Sequence, residues 1–121
     1  MKAQTLLVVD DNVEFVHVLG EYFKSRGWKV IPAGSELECW QQLKSGKPDV
    51  ILLDMLLPDA HGLQIAQCLR ADAAYRHIPI LAMTGLHSPA VRGECFEAGC
   101  NDVIVKPFSL KELHKRLSCF S

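Results

Sequence analysis

Five short runs of apolar residues divide the chain, and each has the length of a β-strand. The third run, Val50–Leu53, contains no polar residue, which is typical of a strand buried on both faces of a parallel sheet. Pro32 lies in the second run and predicts an edge strand, because proline cannot donate a hydrogen bond to a neighbouring strand. The predicted strands are Thr5–Val9, Trp28–Ala33, Val50–Asp54, Pro79–Met83 and Asp102–Val105.

Between these runs, apolar residues recur every three or four positions, which predicts five helices. The second helix is expected to turn Leu37, Trp40 and Leu43 towards the core. Gly93 lies inside the fourth helix and costs about 1 kcal/mol relative to alanine, so this helix is predicted to be the least stable. The expected caps and stops are Gly27, Ser35, Gly46, Ser88 with Pro89, Gly99 and Ser109.

The alternation of strands and helices along the chain determines the predicted fold class. Short connections between alternating elements favour βα crossovers, which give an α/β fold with a parallel sheet. The length of 121 residues suits one domain, and no stretch remains for a linker, a repeat or a second domain. We therefore expect residues 1–121 to form a single domain.

Polar side chains stand at the carboxyl ends of four predicted strands. Asp54 is the most informative, because an ionised carboxylate is costly in an apolar run unless it is paired or ends the strand. The carboxyl ends of parallel strands open on the same edge of a sheet, where ligands bind in open α/β folds. The side chains expected to converge there are Asp10, Asp11, Asp54, Thr84 and Lys106.

This set of side chains suits phosphoryl transfer onto a carboxylate. Three close carboxylates repel one another, and a divalent cation with oxygen ligands relieves the repulsion. Mg²⁺ is the first choice for such a site and Mn²⁺ is the alternative. Lys106 offers a positive charge to phosphate oxygens, and Thr84 offers a hydroxyl hydrogen bond. Asp54 is then the nucleophile, and positioning and electrostatics supply most of the catalysis.

Each of these signals has an ordinary explanation when it is taken alone. Asp10 and Asp11 precede a helix and could serve as its N-cap and as charges that favour its dipole. A threonine after a strand is most often a turn residue, and a lone lysine is usually a solvated surface charge. Their coincidence at four strand ends is what favours a site. Lys106–Pro107 also allows a cis peptide bond.

Composition disfavours several other classes of protein. The net charge of −1 provides no field that would attract nucleic acid or an anionic membrane. The five cysteines show no metal-ligand or CxxC spacing, as expected in a reducing compartment. The amino terminus has no signal-peptide pattern, and no apolar run approaches the roughly 18 residues of a membrane span. We expect a cytoplasmic protein.

Taken together, these residues resemble the receiver domain of two-component response regulators and hybrid histidine kinases. The similarity extends over essentially the whole chain. It implies a flavodoxin-like (CheY-like), doubly wound sheet of five parallel strands in the order 2-1-3-4-5, with five helices. The matching residues are Asp10-Asp11, Asp54-Met55-Leu56-Leu57-Pro58 with Gly62, Thr84, Ala98-Gly99 with Asp102, and Lys106-Pro107-Phe108.

The resemblance also implies a function for the site. Asp54 would accept a phosphoryl group from a phosphohistidine of a histidine kinase or a histidine phosphotransfer protein. Mg²⁺ would be held by Asp11, Asp54 and the backbone carbonyl of Leu56, with Asp10 acting largely through water. The residues implied to contact the phosphoryl oxygens are Thr84 and Lys106.

For the whole chain, the resemblance implies a signalling domain. Such a domain assists its own phosphorylation and dephosphorylation but is not an enzyme with a separate substrate. An effector domain in a longer chain is one expected partner. A homodimer through the face built from the fourth helix, the fifth strand and the fifth helix is another. No direct contact with nucleic acid or membrane is expected.

Several positions bear on how this chain would differ from its family. Most receivers carry an aromatic residue three positions before the lysine of the site. Val103 stands there, so the readout must use other groups. Leu56 and Leu86 are apolar near the path of an attacking water, which predicts slow self-dephosphorylation. His61, in the loop after Asp54, is expected to be solvated.

The alternatives come from the same family and from other classes. A relay receiver, like the module of hybrid kinases, is slightly favoured by the missing aromatic residue, whereas the intact site disfavours a degenerate receiver that only binds proteins. A phosphohydrolase of the haloacid-dehalogenase type usually carries a second aspartate where Leu56 stands. A flavin-binding protein would need a Ser/Thr/Gly-rich loop in place of Asp10-Asp11-Asn12, and no Walker or GxGxxG loop is present.

Overall fold

Five parallel strands form the centre of the molecule, and five helices alternate with them along the chain. A computed structural model describes residues 4–120, so the predictions for the extreme amino terminus lie partly outside the described residues. The strands are β1 (Gln4–Val9), β2 (Trp28–Ala33), β3 (Val50–Asp54), β4 (Ile80–Thr84) and β5 (Asp102–Val105). The helices are α1 (Val13–Lys24), α2 (Glu36–Ser45), α3 (Gly62–Ala71), α4 (Pro89–Glu97) and α5 (Leu110–Ser118).

The strand order is β2-β1-β3-β4-β5, and every neighbouring pair is parallel. This order confirms the predicted doubly wound sheet and the 2-1-3-4-5 arrangement. It also confirms the edge position expected from Pro32, since β2 is an outer strand. None of the helices within the described range 4–120 is long and apolar enough to cross a bilayer.

The central strand β3 is buried along its whole length, as its unbroken apolar run predicts. Its side chains alternate between two cores on opposite faces of the sheet. Leu52 packs in the core beneath α1 and α5, whereas Ile51 and Leu53 pack in the core that α2, α3 and α4 cover. Because hydrophobic layers hold β3 from both sides, the position of Asp54 at its end is fixed by the fold.

The prediction for the buried face of α2 is partly wrong. Leu43 is buried, but Leu37 is 64% exposed, and Cys39 occupies the core instead. Residues spaced by three drift around a helix of 3.6 residues per turn, whereas Cys39 and Leu43, spaced by four, lie on one face. The prediction for Leu37 came from a strict three-residue repeat, and such a repeat carries some of its residues to the solvent face.

The helix ends agree with the sequence except in two details. Ser35 and Ser109 accept hydrogen bonds from the third helical residue of α2 and α5, as expected of N-caps. Ser88 holds the N-cap position of α4, but its side chain makes no capping hydrogen bond. Helix α1 ends at Lys24, before Gly27, which adopts a positive φ of 83° in the turn that follows.

The first prediction concerns the central strand. Leu52→Ala removes buried methyl groups from a rigid core and should lower the free energy of unfolding by about 2–5 kcal/mol. Leu37→Ala is the matched control, since the side chain is exposed, and should change stability by no more than about 0.5 kcal/mol. Urea denaturation followed by circular dichroism measures both values. Equal losses would contradict the described core.

Candidate functional site

The carboxyl edge of the sheet brings the predicted polar residues to neighbouring strand ends. Asp54 and Thr84 are the last residues of β3 and β4, and Asp10 directly follows β1. Strand pairing continues past the ends of β1 and β5. The Asp10 N–H donates to the carbonyl of Ala33 at 2.9 Å, and the Lys106 N–H donates to the carbonyl of Thr84 at 2.7 Å. Backbone hydrogen bonds therefore fix the positions from which these side chains project.

Lys106 joins two of the carboxylates. Its Nζ lies 3.0 Å from Asp10 Oδ2 and 3.3 Å from Asp54 Oδ2. Partial burial tends to lower the pKa of Lys106, but the hydrogen bond to Asp10 and the charges of both carboxylates outweigh it and raise the pKa. The ammonium therefore stays charged and faces the crevice between β1 and β3. The Lys106–Pro107 peptide bond is cis, as the sequence allows.

Three carboxylates lie close enough to share one cation. Asp10, Asp11 and Asp54 each offer an oxygen, and these atoms lie within 4.8 Å of one another. Asp10 is 3% exposed and Asp54 is 8% exposed, whereas Asp11 is open to solvent. An all-oxygen donor set with one open side suits a hard divalent cation that keeps part of its water shell. The donor set therefore fits the metal predicted from the sequence.

The environment of Asp54 disfavours its charge. Burial raises the pKa of Asp54, and the nearby charge of Asp10 adds to this effect. The Leu56 N–H donates to Asp54 Oδ1 at 3.0 Å and, together with Lys106, acts in the opposite direction. The pKa of Asp54 remains raised on balance, so the ionised carboxylate is under-compensated without a further positive charge.

Thr84 shares a cavity with Asp54 and is held by its own turn. The residue is 5% exposed, and Oγ1 accepts a hydrogen bond from the Leu86 N–H at 3.1 Å. The cavity has a volume of about 310 Å³ and extends beneath α4. Its lining is mainly apolar apart from Asp54, Thr84, His61 and Glu94, and the apolar side chains include Met55, Leu56, Leu63, Leu86, Val91 and Cys95.

The acidic pair does not serve as the N-cap of α1, as its ordinary explanation would require. The N-cap of α1 is Asn12, whose Oδ1 accepts a hydrogen bond from the Phe15 N–H at 3.1 Å. Asp10 does not cap the helix; it accepts from the Asn12 N–H at 2.9 Å and from Lys106. The residue after the acidic pair thus satisfies the helix terminus, and the pair remains directed to the crevice.

Two features near the site carried no signal in the sequence. His61 is exposed, as expected, but it also serves as the N-cap of α3, and its Nδ1 accepts from the Leu63 N–H at 3.4 Å. The Phe15 ring lies below Lys106, with 5.5 Å from Nζ to the ring centroid. Histidine is not a usual capping residue, and the Phe15 contact joins distant parts of the chain, so neither was predictable from local sequence.

The chain is similar to known proteins in sequence as well as in fold. The family model described as the response regulator receiver domain matches residues 6–118. Among curated proteins, the phosphate regulon transcriptional regulatory protein PhoB of Klebsiella pneumoniae is 36% identical over 117 residues, which cover 95% of this chain and 50% of PhoB. The chain thus spans about half the length of the PhoB proteins that it matches.

Two solved structures are similar over nearly the whole chain. The chemotaxis response regulator CheY4 of Vibrio cholerae has a TM-score of 0.92 and 26% identity, and the match covers 98% of this chain and 99% of CheY4. The receiver domain of the sensor histidine kinase PA1611 from Pseudomonas aeruginosa has a TM-score of 0.86 and 30% identity, with 98% and 97% covered. That structure contains a magnesium ion coordinated in its active-site cleft.

The second prediction follows from the raised pKa of Asp54. A carboxyl group with a raised native pKa contributes most to stability when it is protonated, and that contribution is lost as pH rises through the native pKa. We therefore expect Asp54→Asn to raise the melting temperature at pH 7 in metal-free buffer. The gain should shrink as pH falls through the native pKa, because wild-type Asp54 then becomes neutral as well. Differential scanning calorimetry of both proteins across this pH range measures the effect.

Magnesium provides the control for this experiment. If Asp54 helps to hold Mg²⁺, the ion at about 100 times its Kd should stabilise the wild type by about 2.7 kcal/mol. The same concentration should stabilise Asp54→Asn much less. A variant that is no more stable than the wild type in metal-free buffer at neutral pH would contradict the described electrostatics.

Proposed function

Since this chain belongs to the response regulator receiver domain family, we propose that Asp54 accepts a phosphoryl group from a phosphohistidine of a histidine kinase or a histidine phosphotransfer protein. The observation that carries the proposal is the position of Asp54. Its carboxylate ends the central strand, is nearly buried, and lies 3.3 Å from an ammonium and beside two further carboxylates. This arrangement provides a nucleophile, a cation for phosphate oxygens and a metal-binding group at one point.

The transfer itself needs few groups from the protein. An oxygen of the Asp54 carboxylate forms a bond to phosphorus while the P–N bond of the phosphohistidine breaks, and the electron pair of that bond stays on the imidazole nitrogen. Lys106 offers its ammonium to the phosphoryl oxygens. The Thr84 hydroxyl can donate a hydrogen bond to a phosphoryl oxygen, while its oxygen still accepts the hydrogen bond from the Leu86 N–H.

The acidic cluster would hold Mg²⁺, with Mn²⁺ as an alternative. The ligands would be Asp11, Asp54 and the backbone carbonyl of Leu56, with Asp10 acting largely through water. Bound there, the cation would neutralise negative charge and orient the phosphoryl group. The all-oxygen donor set supports this assignment, as does the magnesium ion in the cleft of the PA1611 receiver domain.

We further propose that the whole chain, residues 1–121, is a single receiver domain that switches or relays a signal in the cytoplasm. It would assist its own phosphorylation and dephosphorylation without acting on a separate substrate. An effector domain in a longer chain and a homodimer through α4, β5 and α5 are its further proposed partners. Val103 is 2% exposed and packs in the core beneath α4, so the readout would use groups other than an aromatic ring at this position.

The third prediction tests the phosphoacceptor. Incubation of the intact protein with acetyl phosphate and Mg²⁺ should add one phosphoryl group, which intact-protein mass spectrometry detects. The adduct should be absent in Asp54→Ala and should not form when the metal is chelated. Thr84→Ala should be phosphorylated but more slowly, because it lacks one donor to the phosphoryl oxygens.

A wild-type protein that gives no adduct would next be tested with beryllofluoride. Binding of beryllofluoride at Asp54 in the absence of an adduct would indicate a need for a protein donor or rapid turnover. Failure to bind it would contradict the proposal and favour a module that binds proteins without phosphorylation.

The fourth prediction concerns the lifetime of the phosphoryl group. Leu56 and Leu86 both line the cavity beside Asp54 and are 71% and 62% exposed, so they present apolar surface where water must approach. Replacing both with asparagine should shorten the lifetime by roughly tenfold, which corresponds to about 1.4 kcal/mol in the barrier. Leu37→Asn is the control, because Leu37 is equally exposed but absent from this cavity. An unchanged lifetime in the double variant would show that Leu56 and Leu86 do not shield the phosphoryl group from water.

A further inference from the structure

We propose that Gly62 is a positioning residue for the site. Because it has no side chain, the backbone at Asp54 and Met55 can pack directly against it, and this packing fixes the positions of the Asp54 carboxylate and the Leu56 backbone. The inference rests on the function proposed above and deepens it. Gly62 is buried at the start of α3 and does not itself offer a group to a phosphoryl ion or a metal. Its role is exerted through the backbone on which it packs.

The backbone at the end of β3 and just beyond it approaches Gly62 too closely for any side chain. A Cβ at Gly62 would lie 2.5 Å from the carbonyl oxygen of Asp54, 2.8 Å from the Cα of Met55 and 2.7 Å from the Cε of Met55. The last atom ends a flexible side chain and could move aside. The first two belong to the backbone, so a methyl group at Gly62 requires a backbone shift, either at Asp54 and Met55 or at the start of α3, which is hydrogen-bonded to Met55.

Gly62 is needed for space and not for its backbone conformation. Within residues 4–120, the glycines with positive φ are Gly27 and Gly99, and Gly62 is not among them. Gly62 is the first residue of α3, in a conformation that alanine adopts readily. Local helix propensity would therefore favour alanine at this position, and only the contact with β3 opposes it.

Hydrogen bonds connect the Gly62 contact to the Asp54 carboxylate. The Gly62 N–H donates to the carbonyl of Met55 at 2.9 Å and closes the base of a small hairpin, which we call the 55–62 hairpin. Inside it, Leu56 pairs with His61 in an antiparallel bridge. The Leu56 N–H in turn donates to Asp54 Oδ1 at 3.0 Å. A shift at the base of the hairpin therefore moves both the Leu56 backbone and the donor that orients the carboxylate.

Gly99 provides a matched control at the other edge of the sheet. Gly99 precedes β5 and lies at the amino ends of the parallel strands, whereas Gly62 follows β3 and lies at their carboxyl ends. A Cβ at Gly99 would crowd the Arg70 side chain, and its φ of +108° disfavours any residue with a side chain. Gly99→Ala should therefore destabilise the fold without touching the site.

The experiment compares the full chain with Gly62→Ala and Gly99→Ala. Isothermal titration calorimetry measures the Kd for Mg²⁺, thermal unfolding measures stability, and mass spectrometry measures the initial rate of phosphorylation by acetyl phosphate. Gly62→Ala should raise the Kd for Mg²⁺ by about 10-fold or more, as altered support of a metal ligand does, and should slow phosphorylation. Gly99→Ala should lower the melting temperature while its Kd and phosphorylation rate stay at the wild-type values.

A double variant, Met55→Ala with Gly62→Ala, separates the two kinds of contact. It removes the Met55 Cε contact but leaves the backbone contacts, so it should still bind Mg²⁺ weakly. It also relieves part of the crowding at Gly62; because Met55 is a buried core residue, Met55→Ala alone is the reference for this variant and is measured beside it. Recovery of the wild-type Kd in the double variant would overturn the proposal, because side-chain packing would then explain the whole effect.

The remaining outcomes distinguish this inference from the proposed function. Suppose that the wild type binds Mg²⁺ and is phosphorylated. If Gly62→Ala then behaves like the wild type, only the positioning role fails. The same holds if Gly62→Ala and Gly99→Ala both lose Mg²⁺ affinity in proportion to their loss of stability. If the wild type itself neither binds Mg²⁺ nor is phosphorylated, the proposed function fails and the positioning role fails with it.

Discussion

Two buried carboxylates, Asp10 and Asp54, share the single ammonium of Lys106, and this imbalance of charge governs the site. Both side chains lose most of their hydration, because they are 1% and 12% exposed. Lys106 contacts both, yet the pKa of Asp54 stays raised because burial has the largest effect on it. One positive charge therefore does not compensate the carboxylates of this edge. A cation at the edge would supply the missing charge, which is why the same residues suit both metal binding and phosphoryl transfer.

Such an arrangement is costly, and the sheet is what maintains it. Asp54 ends a strand that hydrophobic cores hold from both faces, and Asp10 and Lys106 follow strands whose pairing continues past their ends. The side chains cannot separate to relieve their repulsion without breaking backbone hydrogen bonds or exposing the core. The stability of the core therefore keeps the like-charged carboxylates of Asp10 and Asp54 at a fixed distance. The strand ends are held by pairing of β1 with β2, of β3 with β4 and of β5 with β4, although Asp10, Asp54 and Lys106 are far apart in sequence.

Much of the fold followed from local patterns, and the few failures have separate causes. The five strands agree with the apolar runs almost to the residue, and β4 begins at Ile80 after Pro79, which has no N–H to donate. Leu37 points outward because a three-residue repeat drifts around the helix, whereas nothing in the structure explains why Ser88 makes no capping bond. The residues of the site and their convergence on one edge were predicted from the ends of parallel strands, but which strand ends are neighbours depends on the strand order, which came from family resemblance. Local sequence does not encode such pairings directly.

The glycines show most clearly what a sequence pattern leaves undetermined. Gly27 has a positive φ and open space around its Cα, so its backbone conformation explains it. Gly62 has an ordinary helical position and no space, so only its neighbours explain it. Gly99 combines both constraints. The three positions look alike in the sequence, and Gly62 and Gly99 both belong to the family pattern. Of these three glycines, only Gly62 is connected to the chemistry of the site, because it packs on Asp54 and Met55.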